Sequence, residues 1–119
     1  MATVNPTITK LGADAAKIVW VLTNTNADGA VLDKHWADYA DRTVSVDGTF
    51  GGASVAIQGS ADGSSWASLT DHSGTDIAMS AAASVVISEI PLKTRPLLSG
   101  GAGATINVTM VLRRDRSAY

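Results

Sequence analysis

The chain has 119 residues, of which 45% are hydrophobic and 17% are charged; its formal net charge is −2 and it contains no cysteine. That length suits one domain with one core, and the lack of cysteine excludes a disulfide framework and thiolate metal sites. The charged fraction lies below the usual value of about a quarter, so we expect partners to cover part of the surface. The acidic balance argues against a nucleic-acid binder, because affinity for phosphates grows with the number of basic side chains.

Residues 1–14 are predicted to form an N-terminal arm. They contain no basic segment followed by an apolar one, and the chain has no run of about eighteen apolar residues, so we expect neither a secretion signal nor a membrane span. The segment 17–23 then alternates, with Ile18, Trp20 and Leu22 on one face. Alternation with period two is typical of a strand.

The segment 24–39 is predicted to be a loop, in which Trp36 and Tyr39 lie three residues apart and allow one or two helical turns. A second strand is predicted over 42–50, where alternate apolar side chains share a face. The glycines that follow permit a bend before the chain restarts as a strand.

The run 59–66 contains the strongest local signal of the sequence, the pair Asp62-Gly63. An Asp-Gly pair favours a tight hairpin, because it supplies the positive backbone torsions that such a turn needs. After the turn, Trp66 and Leu69 are three residues apart, so strict alternation would place them on opposite faces of the strand. Burial of both would therefore require a bulge or a strong twist in the returning strand.

Further along, a strand with a mixed pattern is predicted over 84–90, and Pro91 and Pro96 indicate an edge or a loop. The last predicted strand, 105–113, has the clearest alternation of all. Its inward residues are predicted to be Ile106, Val108, Met110 and Leu112.

Seven or eight short strands separated by Gly, Asn, Asp and Pro clusters predict an all-β fold. We predict one compact domain over 15–114, an antiparallel β-sandwich with a jelly-roll-like arrangement. Residues 115–119 are predicted to be a C-terminal tail.

Groups suited to catalysis are scarce. His35 and His72 lie in predicted loops without the spacing that brings metal ligands together, and no Gly-x-Ser-x-Gly elbow supports a nucleophilic serine. We therefore predict a protein that is not an enzyme, with no catalytic residues, no cofactor and no metal. Three acidic residues lie close along the chain around the turn, Asp62, Asp71 and Asp76. They could gather oxygen ligands for calcium, but we favour the interpretation that Asp62 is a turn residue and the other two are exposed loop charges.

The turn motif formed by Ser60, Asp62, Gly63 and Trp66 resembles the Ser-x-Asp-Gly-x-x-Trp hairpin of discoidin-like sugar-binding and surface-binding sandwiches, and loosely the Asp box of sialidases. The resemblance implies that Ser and Asp side chains brace the turn and that Trp packs beneath it, so the motif indicates fold more than function. An exposed Trp66 would instead stack on a sugar ring. A carbohydrate-binding module that uses Trp66 or Trp36 is therefore an alternative.

Four features occur in a fixed order: DRTVSVDGTFGGA at 41–53, the turn at 59–66, Arg95-Pro96, and the Gly100-Gly101 pair before a strand that ends in Arg113-Arg114. This order resembles that of small structural proteins encoded among the virion genes of tailed bacteriophages, over about four-fifths of the chain. The resemblance implies a virion component, a head decoration or cement protein that binds the capsid surface and stabilises the shell. A tail, adaptor or fibre-base subunit is the alternative.

A cement protein adds contacts across neighbouring capsomers, which calls for rigid sheets and interface area rather than a pocket. The expected partner is the major capsid protein of the same virion, after synthesis in the bacterial host cytoplasm, with no nucleic-acid or membrane partner. A homo-oligomer, with a trimer preferred, is expected because lattice sites are symmetric. Trp, Tyr and Arg are enriched at interface centres, so the interface candidates are Trp36, Tyr39, Arg113, Arg114, Arg116 and Tyr119. The alternatives are that Trp36 belongs to the core and that the terminal residues are disordered.

Overall fold

The computed structural model describes residues 3–12, 14–24, 28–32, 39, 41–71, 73–89 and 92–113. The described residues form strands, turns and loops, and no helix among them is long and apolar enough to cross a membrane. In chain order the strands are β1 (Thr3–Val4), β2 (Thr7–Lys10), β3 (Ala15–Thr23), β4 (Asp28–Gly29), β5 (Asp41–Thr49), β6 (Ser54–Ser60), β7 (Ala67–Ser68), β8 (Ala78–Met79), β9 (Ala83–Val86), β10 (Lys93–Ser99) and β11 (Thr105–Arg113).

The strands form two sheets. Sheet A has six strands in the order β1-β4-β10-β6-β7, with β8 also paired to β6, and sheet B has five in the order β2-β3-β11-β5-β9. The pair β1–β4 is parallel, and the other strand pairs of both sheets are antiparallel. The predicted all-β class and the antiparallel sandwich of jelly-roll type are thus confirmed.

The centre of sheet B consists of three nine-residue strands, β3, β11 and β5. Val108 of β11 lies opposite Trp20 on one side and opposite Val46 on the other. The four residues of β11 that were predicted to point inward are each fully buried. Alternation therefore identified the buried face of this strand correctly.

Side chains from the inner faces of both sheets pack into one hydrophobic core. Trp20 from sheet B and Ile57 from sheet A are both completely buried, and full burial of a large apolar side chain stabilises the fold by roughly 1.5–3 kcal/mol. The Trp20 indole Nε1 donates a hydrogen bond of 3.2 Å to the Ala30 carbonyl. The only polar atom of that ring is therefore satisfied inside the core.

One arginine lies inside the sandwich. Arg42 on β5 is only 2% exposed; its Nε donates to the Tyr39 carbonyl and its Nη1 to the Thr94 hydroxyl, both at 2.9 Å. Because Thr94 belongs to β10, this guanidinium connects sheet B to sheet A. Desolvation lowers the pKa of Arg42 from its ordinary value.

Two glycine-containing loops lie side by side at one end of the sandwich, 50–53 between β5 and β6 and 100–104 between β10 and β11. The Ala102 amide donates a 3.0 Å hydrogen bond to the Gly51 carbonyl. Gly51 has a φ of +56°, and a Cβ at this position would lie 2.0 Å from the Ala102 oxygen. The close approach of the two loops therefore requires glycine here.

The prediction that Pro96 marks an edge or a loop is wrong, because Pro96 lies inside β10, which pairs on both sides. On the side away from β6, Asp28 lies opposite Leu97 and Leu32 lies opposite Thr94. The segment 28–32 thus has one residue more than the stretch of β10 that it faces, which is a bulge. Proline, which has no amide hydrogen, is tolerated beside such a bulge. Gly29 makes room for the ring, since a Cβ there would lie 2.3 Å from the Pro96 Cγ.

Two further boundaries differ from the sequence analysis. The strand expected over 84–90 ends at Val86 in β9, while Ile90 and Pro91 lie outside the described residues. The segment 1–14, predicted to be an arm, contributes β1 to sheet A and β2 to sheet B. Its described residues therefore belong to the sandwich as edge strands.

Candidate interaction surface

Two of the six predicted interface residues lie among the described residues. Arg113 is exposed at the end of β11, whereas Tyr39 is only 3% exposed. The Lys10 ammonium donates to the Tyr39 hydroxyl at 3.3 Å and lies 5.7 Å from its ring centroid. Tyr39 therefore belongs to the core and offers almost no surface to a partner. Trp36, Arg114, Arg116 and Tyr119 lie outside the described residues.

The turn motif begins at Ser60, the last residue of β6, and its other three residues lie between β6 and β7. The Ser60 hydroxyl accepts hydrogen bonds from the Asp62 and Gly63 amides at 3.2 and 2.8 Å, and it donates to Asp62 Oδ1 at 3.1 Å. Asp62 Oδ1 also accepts from the Ser64 and Ser65 amides at 2.8 and 3.0 Å. Two side chains thus hold the backbone of the turn through four hydrogen bonds, and a fifth joins the two side chains to each other.

The hydrogen bonds also set the charge of the turn. The amides of Ser65 and Ser64, followed by the Ser60 hydroxyl, lower the pKa of the Asp62 carboxyl from 3.8 to about 2.

The prediction of a tight Asp-Gly hairpin is wrong, because residues 61–66 separate the two strands. Gly63 has a φ of +84°, and Asp62 has none in the positive range. Asp62 therefore acts through its side chain.

Trp66 follows the turn and lies against an arginine of sheet A. The Arg95 guanidinium carbon is 4.1 Å from the centroid of the Trp66 ring, and Arg95 Nε donates to Gln58 Oε1 at 3.0 Å. Gln58 and Arg95 are directly opposed on β6 and β10. The indole and the amide thus both restrict the guanidinium, the first by a cation–π contact and the second by a hydrogen bond.

Lys93 extends this group of side chains toward the turn. Lys93 and Arg95 are two residues apart on β10, and both belong to the half-buried outer face of the strand. The Lys93 stem lies against Gly63, since a Cβ on that glycine would lie 3.2 Å from Lys93 Cδ. We call Gln58, Trp66, Lys93 and Arg95 the cation–indole patch.

The cation–indole patch has hydrogen-bond donors to spare. Among the described residues, no hydrogen bond or ion pair is made by Lys93 Nζ, by the Arg95 Nη atoms or by the indole N–H of Trp66. The sequence analysis assigned no role to Gln58, Lys93 or Arg95. Their proximity to Trp66 depends on the pairing of β6 with β10, which no local pattern reveals.

The outer face of sheet B has a different character. It consists mainly of threonine, serine and valine, and among its described residues four are charged, two of each sign: Lys17, Asp41, Asp47 and Arg113. Asp41 and Arg113 are opposed across β5 and β11. With Thr43, Val86 and Val111 they line a depression of about 280 Å³.

Of the three acidic residues considered for calcium, Asp62 and Asp71 accept hydrogen bonds from nearby backbone amides, and Glu89 does the same beside them. Asp71 Oδ1 accepts from the Ser73 and Thr75 amides at 2.9 and 3.1 Å, and Glu89 accepts from the hydroxyl and amide of Thr70. The described residues contain no cluster of three or more His, Asp or Glu side chains that could hold a metal ion. His35 and His72 lie outside the described part of the chain.

Comparisons with known proteins give distant likenesses. No protein-family model matches the chain, and no curated protein matches it. Among solved structures, the Cnp3 cupin domain of Schizosaccharomyces pombe is similar over 92% of this chain, with a TM-score of 0.45 and 10% identity. The hydroxypropylphosphonic acid epoxidase of S. wedmorenis in complex with fosfomycin is similar over 84%, with a TM-score of 0.40 and 10% identity. The chain spans 60% of the first protein and 43% of the second.

Proposed function

We propose that this chain is a non-enzymatic virion structural protein, a phage head decoration or cement protein that binds the outside of the capsid and stabilises the shell. The sequence resemblance to virion proteins motivates the proposal. The major capsid protein of the same virion is the proposed partner, and the capsid surface is the proposed location.

The outer face of sheet B carries the structural support for this role. Its short and β-branched side chains, such as Thr109, Val19 and Ser45 in adjacent strands, lose little rotamer freedom when a partner covers them. Its four charges cancel, so burying the face leaves no net charge without a counterion. A broad face of this kind suits extended protein contacts better than small-molecule binding.

This face also supports the proposed homo-oligomer. Three copies can pack with the outer faces of sheet B around a common threefold axis, an arrangement that closes as a cyclic assembly. A trimer would present three identical binding surfaces to the capsid at once, and simultaneous binding raises the overall affinity by effective concentration.

Mass spectrometry of purified particles tests the proposal directly. The chain should be present in intact virions of the phage that encodes it and absent from particles made after deletion of its gene. Heating both kinds of particle should disrupt the deletion particles at a lower temperature, because a ligand that binds the assembled shell stabilises that state. Absence of the chain from intact virions would rule out the proposal.

Electron microscopy of the same two preparations separates the head from the tail. Difference density on the capsid surface supports a decoration protein. Difference density along the tail, at the adaptor or at the fibre base assigns the chain to the alternative virion location instead.

A further inference from the structure

We infer that the cation–indole patch is the surface by which this chain docks on its protein partner, and that the partner presents a carboxylate to Arg95. The inference rests on the proposed function, in which that partner is the major capsid protein. It divides the protein contacts of the proposed role between the two sheets: the outer face of sheet A meets the shell, and the outer face of sheet B makes the homo-oligomer rather than the contact with the shell.

The charge of the patch indicates an acidic partner. Lys93 and Arg95 lie two residues apart on one face, and neither makes an ion pair with another described residue. The chain as a whole has a net charge of −2. The two positive charges of the patch are therefore opposite in sign to the net charge of the chain. Asp62 lies nearby, but the hydrogen bonds of its carboxylate are made within the turn, with Ser60, Ser64 and Ser65, and not with Lys93 or Arg95.

The geometry of Arg95 indicates a carboxylate. Its Nε is bound to Gln58 and its guanidinium carbon lies over the Trp66 ring, so these two contacts hold the group and leave the two Nη atoms as the edge of a preoriented fork. A fork of two parallel N–H groups matches the two oxygens of a carboxylate. Because the stacking and the Gln58 hydrogen bond already restrict the side chain, binding costs less conformational entropy than it would for a free arginine.

The shape of the surface favours a protein over a saccharide. The patch lies on the outer face of a sheet, and Arg95 already lies against the indole ring of Trp66. Sugars are held by a free aromatic face or in a concave site. Arginine and tryptophan on a broad face are instead the residue types that dominate the binding energy of protein interfaces.

The test uses empty shells from the gene-deletion phage and the purified full-length chain, with bound chain measured by co-sedimentation. Arg95→Gln removes the fork and one charge, and we expect its Kd for shells to rise by roughly tenfold or more. Arg95→Lys keeps the charge without the fork and should give an intermediate Kd. The matched control is Ala81→Glu, which makes the same change in net charge at an exposed turn and should bind like the wild type.

Salt dependence gives a second readout, and its first part needs only the wild type. Wild-type binding should weaken between 50 and 300 mM NaCl, about the range over which exposed charges become screened, and Arg95→Gln should show a weaker dependence. This measurement keeps the inference testable even if Arg95→Gln proves unstable in thermal melts.

The other outcomes overturn the inference in distinguishable ways. If the wild type and Arg95→Gln bind shells equally, the patch is not the docking surface and the proposed function stands. If the wild type does not bind shells, the proposed function fails as well. If Arg95→Gln lowers the oligomeric state in light scattering, the occupant is a second copy of the chain. If the wild type binds acidic glycans on an array and Arg95→Gln does not, the occupant is a saccharide.

Discussion

At the scale of single residues, the polar link between the two sheets offers the sharpest test of the core. Thr94→Val removes the hydroxyl that accepts the hydrogen bond from Arg42 Nη1. Loss of the acceptor of a buried hydrogen bond from a charged group should cost about 1–3 kcal/mol of unfolding free energy. Chemical denaturation measures the loss.

The control for this change is Thr75→Val, which makes the same substitution at an exposed loop position outside both proposed contact surfaces. It should alter the stability by no more than about 0.5 kcal/mol. Equal effects of the two substitutions would mean that the Arg42 hydrogen bond to Thr94 adds nothing beyond the intrinsic difference between threonine and valine.

A second residue-scale prediction concerns acid stability. The folded chain holds the pKa of Asp62 at about 2, below its ordinary value of 3.8, so between these values the unfolded chain binds more protons. The stabilisation from this carboxylate is therefore complete above the ordinary pKa and is lost as the pH falls toward 2.

An NMR titration of the Asp62 carboxyl should give a midpoint near 2. Asp62→Asn, which keeps one acceptor oxygen but cannot ionise, should have a lower Tm than the wild type at neutral pH. The Tm difference should shrink as the solution is acidified. A titration midpoint at the ordinary value would show that the serine amides do not hold the carboxylate.

The residues of the turn show what a local pattern can and cannot reveal. The roles of Ser60 and Asp62 follow from spacing, because their partners lie within three residues along the chain. The contact of Arg95 with Trp66 joins positions far apart in sequence. It could not be predicted, since it depends on which strands pair and in which register.

At the scale of elements, the two paired glycine loops should not accept a side chain at Gly51, where they approach most closely. In Gly51→Ala the new methyl group would lie 2.0 Å from the Ala102 oxygen at a φ of +56°, and we expect a loss of about 3 kcal/mol or more in unfolding free energy. Gly103→Ala has a similar φ of +68° but no atom within 4 Å. It should cost about 1–2 kcal/mol, the strain of the left-handed backbone alone.

The difference in unfolding free energy between the two glycine variants, measured by denaturant unfolding, gives the cost of the steric clash at Gly51. If the two substitutions cost the same, the loops can separate and their close approach contributes nothing to stability.

Strand prediction succeeded where one face of an element is buried along its whole length. The segment 105–113 is the example, since its predicted bounds coincide with β11. It failed at Pro96, because a bulge beside β10 removes the usual penalty for proline in a paired strand. It also missed the two-residue strands, such as β7, which are too short to show any period.

At the scale of the whole molecule, the all-β sandwich followed from composition and alternation, whereas the order of its strands did not. The neighbours β10 and β6 in sheet A, and β11 and β3 in sheet B, are distant in sequence. Their pairing is decided by the fit of the complete core. The surfaces that this order creates were therefore beyond prediction.

The oligomer prediction also belongs at this scale. Light scattering of the purified chain should give three times the chain mass of 12.2 kDa. Thr109→Lys places an uncompensated charge on the central strand of the outer face of sheet B, and it should yield monomers because burying that charge is costly. Ala81→Lys, at an exposed turn, should remain trimeric. A wild-type monomer at micromolar concentration would contradict the proposed assembly.

The position of β11 has a consequence for synthesis on the ribosome. β11 is the middle strand of sheet B and joins β3 to β5, yet residues 105–113 are translated long after both neighbours. Until they emerge, β3 and β5 have no strand between them, and the four buried side chains of β11 are missing from the core. A nascent chain stalled before residue 105 should therefore be cut readily by protease, and the finished chain should resist it, since the sandwich closes only once translation has passed this strand.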